Sequence, residues 1–260
     1  RARLPDVPAV AVFDTAFHAD RPPEARRYAL PADVCEELDL LPFGFHGIAH
    51  ASLLEGLAEA RELPERAVDA VTLQLGAGCS ACAIRNGRSV ETSMGFSPLG
   101  GLPMATRSGD LDPGVFLALL RSGRTSEEIE ALLTRRSGLL GLGGSSDVRT
   151  LLAAEADGDE AARTALAVFV RRIVMLVGAL LTLLDGRGAL VFGGGIGTHA
   201  APIRARVCAG LASWDVRLDA ARNEAPGTGR VSVDGTRPVY VLETDEETRI
   251  ARSVAALLRR

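Results

Sequence analysis

The chain has no lysine: all 29 of its basic residues are arginine. That excludes a Schiff-base lysine and the lysine of a Walker phosphate loop. Any phosphate or carboxylate must therefore be held by arginine forks, backbone amides, helix N-termini or a metal. The net charge is only −4 and no basic stripe is present, so a nucleic-acid partner is not expected. No apolar segment of signal-peptide type follows Arg1, and the longest apolar run, 173–184, is too short to span a bilayer. The expectation is a cytoplasmic chain with no membrane partner.

Cysteine is scarce too, with four residues at 35, 79, 82 and 208. Cys79 and Cys82 form a C-x-x-C pair, but they lie in a segment that reads as a strand, where residues three apart face opposite sides. No second pair completes a zinc site. Both read as small apolar strand residues in a reducing compartment.

What the chain does have is 47% hydrophobic residues over 260 positions, enough for one large or two modest domains. Apolar runs at 8–13, 70–75, 80–84, 189–192 and 239–242 read as buried strands. The pair Asn86-Gly87 between the third of these and a return strand is a hairpin signal. Helical periodicity covers 49–62, 114–121, 126–136, 145–155, 159–184, 202–211 and 245–258, with Ser145 or Ser146 expected to cap the fourth. Strands alternating with helices give an α/β class.

Two glycine loops follow strands, at 76–78 and 193–197, where glycine lets the backbone approach a polyphosphate. Asp14 ends the first expected strand, a usual place for ligand chemistry in α/β sheets. Arg107 lies in a loop with Asp110 and Asp112, and at least one of these carboxylates is expected to cap the helix at Pro113. In a lysine-free chain Arg107 is the natural bidentate partner of an anion. His46 sits between glycines and aromatics and could donate to developing negative charge. His50 falls on the same helical face, but no third metal ligand is evident, and His18 reads as structural.

These segments together resemble the acetate and propionate kinase family. The resemblance rests on Val12-Phe-Asp-Thr-Ala-Phe-His18, Phe43-Gly-Phe-His-Gly47, Thr92-Ser-Met-Gly-Phe96 and Thr106-Arg-Ser-Gly-Asp-Leu-Asp-Pro113. It continues through Ser137-Gly-Leu-Leu-Gly141, Ser145-Ser-Asp-Val-Arg149 and Gly195-Ile-Gly197. It implies the actin-like ATPase fold of ribonuclease-H-like type, with ATP or ADP and Mg²⁺ (or Mn²⁺) as cofactors and a short carboxylate or acyl phosphate as substrate. Residues 16–243 would form the second, nucleotide-binding and dimerisation domain, and 1–15 with 244–260 a remnant of the first. A homodimer is implied.

Carried over residue by residue, His46 and Arg107 would be catalytic, Phe45 and Pro98 would line the alkyl pocket, and Asp14 and Glu246 would hold the metal. Gly76, Gly78, Asp147, Arg149, Gly195, Ile196, Gly197 and His199 would surround the nucleotide. Three strings depart from the family pattern. Its HLGNG reads Gln74-Leu-Gly-Ala-Gly78, its GFHGTSH reads Gly44-Phe-His-Gly-Ile-Ala-His50, and its GIGEN reads Gly195-Ile-Gly-Thr-His199. The family's N-terminal Asn-Ala-Gly-Ser-Ser loop does not occur here. A catalytically weak nucleotide-binding or dimerisation module is the alternative. A sugar kinase of the same fold is disfavoured by the first and fourth strings.

Overall fold

The computed structural model describes residues 7–225 and 227–259. The strands are β1 (Ala70–Leu75), β2 (Cys79–Arg85), β3 (Arg88–Thr92), β4 (Ala189–Gly193), β5 (Gly229–Arg230) and β6 (Val239–Val241). The helices are α1 (Ala32–Glu37), α2 (Gly47–Ala60), α3 (Pro113–Arg121), α4 (Ser126–Arg135), α5 (Gly138–Gly143) and α6 (Val148–Ala156). They continue with α7 (Glu160–Leu183), α8 (Gly194–His199), α9 (Ala201–Gly210), α10 (Ala220–Glu224) and α11 (Glu246–Leu258).

The six strands form one mixed sheet in the order β3-β2-β1-β4-β6-β5. β1, β4 and β6 run parallel, while β2, β3 and β5 are antiparallel to their neighbours. The period of two sorts the side chains. Val71, Leu73, Leu75, Cys79, Ala81, Leu190 and Phe192 pack on one face against the buried side of α7, chiefly Leu166, Phe169, Ile173 and Val177. Ala70, Cys82, Ile84, Ala189 and Val191 pack on the other against Leu53, Leu54 and Leu57 of α2. The result is three layers, helix–sheet–helix. Cys79 and Cys82 face opposite layers as expected, and burial pushes both thiols up to about 12, far from thiolate chemistry. Asn86 and Gly87 both take positive φ, 50° and 72°, the backbone that a two-residue hairpin of matching twist requires.

Four expectations need correction. Residues 8–13 form no strand, and Phe13 is 68% exposed. A strand exists only where a neighbour supplies ladder bonds, and among the described residues none of the six strands pairs with this segment. Residues 1–6 of the same expected remnant fall outside the described residues. The cap of α6 is Asp147, which accepts from Arg149 N–H at 2.8 Å, rather than Ser145 or Ser146. The glycine run after β4 is not an open loop: residues 194–199 close into the short helix α8. The expectation that no apolar segment is long enough for a bilayer also needs correction, although the helix itself follows the periodicity of 159–184. α7 spans 24 residues and by length and composition could cross a bilayer; here its apolar stripe covers the sheet.

The loops between β3 and α3 are irregular, as their composition suggests. Asp112 caps α3 through Gly114 N–H at 2.7 Å, and Asp110 accepts from Gly101 N–H at 2.7 Å. Thr125 and Glu128 cap α4 reciprocally, a capping box.

Candidate active site

The site is built where β1 and β4 end and β2 and α2 begin. Asp14, distant in sequence, packs against the start of α2 and caps it: one carboxylate oxygen accepts from His46 N–H at 2.7 Å and the other from Ile48 N–H at 3.3 Å. The Asp14 carbonyl accepts from Gly47 N–H at 2.8 Å. His46 is thereby held with φ 57°, in the left-handed region a non-glycine residue rarely adopts. Its ring turns toward β2, where Nδ1 lies 2.8 Å from Ser80 Oγ.

The other ring edge meets Arg107. A Cβ placed on Gly78 would lie 3.2 Å from His46 Nε2 and 3.6 Å from Arg107 Nη1. The two side chains therefore converge over Gly78, the second glycine of the β1–β2 turn. Arg107 is fixed from behind, with Nη1 donating to the Pro98 carbonyl at 3.1 Å and to Met104 Sδ at 3.6 Å. Phe45 packs against the core beside them and offers its carbonyl to His18 Nε2 at 3.1 Å. Burial pushes the His46 pKa down; the Asp14 charge opposes this and the Arg107 charge reinforces it.

His18 and His50 are buried and neutral. Burial lowers His18 to about 4 and His50 well below its usual range. His50 bonds Thr72 Oγ1 and Ser80 Oγ, both at 2.8 Å, so it does not pair with His46 as a metal ligand. Both imidazoles take up protons on unfolding, so between pH 6.5 and about 4 the unfolded chain binds more protons and stability drops as pH falls. Each should contribute about 1.4 kcal/mol of loss per pH unit in that window. Denaturant melts at pH 7 and pH 5 check this; equal midpoints would refute it.

A cavity of ≈ 650 Å³ opens on the far side of the same turn. Gly76, Asp147, Arg149, Gly195, Ile196 and His199 line it together, with Ala77, Ala105 and Pro202. Six of the eight residues expected around a nucleotide thus share one wall. Gly78 belongs instead with His46 and Arg107, and Gly197 is buried against Phe192. Arg149 clamps Asp147 through Nη2 at 2.6 Å and holds that carboxyl at about 2. Within the turn, Gly76 N–H closes on the Gly78 carbonyl at 3.0 Å, and Ala105 N–H reaches the Ala77 carbonyl at 3.2 Å.

Next to it, a second cavity of ≈ 530 Å³ holds Gln74, Gly195, Thr244 and Glu246. Thr244 Oγ1 donates to Gln74 Oε1 at 2.7 Å and accepts from Gly194 N–H at 3.2 Å. That fixes the Gln74 carbonyl inward and leaves its amide donors for a ligand. Glu246 is pushed up first by burial and then by the charge of Asp14. A carboxyl whose pKa is raised by a neighbouring carboxylate suits a divalent cation shared with that neighbour. Among the described residues no group of three His, Cys, Asp or Glu side chains converges. A metal here would take two carboxylates and complete its shell with water and phosphate, the habit of Mg²⁺.

Sequence reading missed Arg204, which is 3% exposed. Its guanidinium donates to the Gly197 and Thr198 carbonyls at 2.9 and 2.8 Å and to Asn223 Oδ1 and O at 2.8 and 2.6 Å. It ties off the C-terminal carbonyls of α8, the helix that walls both cavities. Nothing in the local pattern of α9 marks this arginine as buried. Arg204→Met should cost about 2–3 kcal/mol by stranding those carbonyls. A chemical melt unchanged from the parent would refute this.

A sequence model of the acetokinase family matches residues 1–252. The chain is 47% identical to an acetate kinase of Micrococcus luteus over 268 positions, covering 99% of this chain and 69% of that protein. It is 44% identical to an acetate kinase of Syntrophobacter fumaroxidans over 260 positions, 98% of this chain and 63% of that one. The solved acetate kinase of Porphyromonas gingivalis superposes with a TM-score of 0.92 at 36% identity, over 95% of this chain and 63% of the other. A propionate kinase from Francisella tularensis also gives 0.92, at 35% identity over 96% and 65%. The chain spans about two thirds of the length of the relatives it matches. Its α/β fold is that of these kinases. With nearly its whole length matched by the family model and by relatives of such identity, the chain belongs to the acetokinase family.

Proposed function

We propose that this chain carries the site for reversible phosphoryl transfer between ATP and a short carboxylate, acetate or propionate. The observation that carries the reading is the convergence of His46 Nε2 and Arg107 Nη1 over Gly78. Gly76 and Ala77 of the same turn line the cavity proposed for adenosine, and Asp14, proposed for the metal, holds the His46 N–H. In the forward direction a carboxylate oxygen attacks the γ-phosphorus and the bond to the ADP oxygen breaks. Such transfer demands positioning and charge neutralisation rather than a covalent nucleophile. Arg107 and His46 would donate to the equatorial phosphoryl oxygens, and Phe45 and Pro98 would face the alkyl group. Asp14 and Glu246 would hold Mg²⁺, which when bound neutralises polyphosphate charge. The same reading takes the fold as actin-like and ribonuclease-H-like, with residues 16–243 as the second domain and the flanking segments as part of the first.

A hydroxamate assay with Mg-ATP and either acid tests this on the chain itself, alongside calorimetry with ADP. Acyl hydroxamate formation is the expected result. ADP binding without product would favour the alternative of a nucleotide-binding module, and neither binding nor product would overturn the reading.

We further propose a second copy of the chain as the partner of α3. No residue of that helix is buried, and Val115, Phe116, Leu117 and Leu120 are 40–47% exposed, an apolar face of the kind that marks an interface. Light scattering should give a mass twice 27.3 kDa. Phe116→Glu should weaken the dimer about tenfold or more; a monomeric parent would refute the assignment.

A further inference from the structure

Four buried or half-buried side chains form one unbranched hydrogen-bonded string behind the site. Thr72 Oγ1 on β1 meets His50 Nδ1 on α2 at 2.8 Å. His50 Nε2 meets Ser80 Oγ on β2 at 2.8 Å, and the same oxygen meets His46 Nδ1 at 2.8 Å. Thr72, Ser80 and His50 are fully buried. A hydroxyl has one hydrogen to give, and a neutral imidazole has one donor and one acceptor nitrogen. With Ser80 Oγ placed between two ring nitrogens, the protons of the string can be ordered in only two ways.

In one order His46 carries its hydrogen on Nδ1. It then donates to Ser80, Ser80 donates to His50 Nε2, and His50 Nδ1 donates to Thr72. That leaves the Thr72 hydroxyl hydrogen with no acceptor, because among the described residues Thr72 Oγ1 has no other partner. A buried donor without an acceptor carries its whole desolvation penalty. In the opposite order Thr72 donates to His50 Nδ1, His50 Nε2–H to Ser80, and Ser80 to His46 Nδ1. Every hydrogen is then used, and the remaining one sits on His46 Nε2, the ring edge that shares the cleft with Arg107.

The geometry points to this second order, and it makes Thr72, His50 and Ser80 positioning residues. Their task is to hold His46 as the Nε2–H tautomer, a donor aimed at an incoming phosphoryl or carboxylate oxygen. His18 provides the contrast. Its Nε2 faces the Phe45 carbonyl, which can only accept, so its tautomer is fixed without the string. The inference rests on the proposed phosphoryl site only for what the donor is for; the proton order is a property of the ligand-free chain.

The test is ¹⁵N NMR of the chain labelled at histidine, read for which ring nitrogen of each residue bears hydrogen. The parent should show His46 as Nε2–H. Thr72→Val removes a hydroxyl three links along the string without touching His46, and should raise the Nδ1–H form of His46 from below roughly a tenth to about half. Thr72→Ser should restore the parent pattern, and Ser80→Ala should lose it as Thr72→Val does. An unchanged His18 signal in every variant reports that the chain is folded. His46 found as Nδ1–H in the parent, or indifferent to Thr72→Val, would overturn the inference. Adding acetyl phosphate to the parent separates the two claims. Correct proton order with no response of His46 to acetyl phosphate would sink the phosphoryl reading and leave the string standing.

Discussion

Arg107→Ala should lower acyl-hydroxamate formation by about 10²- to 10³-fold while leaving ADP affinity within about twofold. The split follows from where the side chain sits. Its Nη1 lies over Gly78 beside His46 Nε2, whereas the cavity proposed for adenosine is walled by Asp147, Arg149 and α8 on the far side of the turn. The guanidinium is held by the Pro98 carbonyl and Met104 Sδ, so it waits in position and little ordering is needed when charge develops. Arg107→Lys should not rescue the rate, since a point charge lacks the planar fork that those two anchors orient. Paired initial-rate and calorimetric measurements decide this. Equal loss of ADP binding would place Arg107 in the nucleotide subsite, and an unchanged rate would remove it from the chemistry.

The largest effect on stability is expected from one methyl group. In Gly47→Ala the new Cβ would come 2.2 Å from the Asp14 carbonyl oxygen and 3.1 Å from Phe17 Cβ. That oxygen cannot step aside, because it accepts the Gly47 N–H while the carboxylate of the same residue caps the first turn of α2. The cost should be about 4 kcal/mol or more, since backbone rather than a flexible side chain must move. Gly56→Ala in the same helix supplies the control. There the Cβ would meet Leu242 Cδ1 at 3.5 Å, an ordinary contact, and a gain of about 0.5–1 kcal/mol is expected from helix propensity alone. Urea melts of the two variants test the contrast. Similar midpoints would mean that the approach of Asp14 to the helix start is not what holds this corner.

The Gly47 clash also explains what a reader of the string GFHG can and cannot see. The glycine and histidine are visible, and so is the expectation that they sit before a helix. That Asp14, more than thirty positions earlier, would lie against that glycine is not. Similarly, Gly78 is visible as part of a glycine turn, but its service as the floor under His46 and Arg107 depends on the turn between β1 and β2 being folded against α2.

What the sequence determined by itself is whatever depends on near neighbours and on the period of side chains. The runs at 70–75, 79–85 and 189–193 had to be buried strands, because nothing else hides so many consecutive apolar groups with their backbones paired. Asn86-Gly87 had to be a tight hairpin, because these residues tolerate positive φ. The spacing of Cys79 and Cys82 had to separate them across the sheet. The tertiary structure decided the rest. Residues 8–13 have strand chemistry but no strand beside them, and β structure is a property of pairs. Residues 194–199 have loop composition but form α8, where Arg204 ties off the terminal carbonyls and Thr244 takes an N-terminal amide. His50 looked like a possible ligand and became an interior link between Thr72 and Ser80. In each case a hydrogen-bonding group can be satisfied in several ways, and only the neighbours brought up by folding select among them.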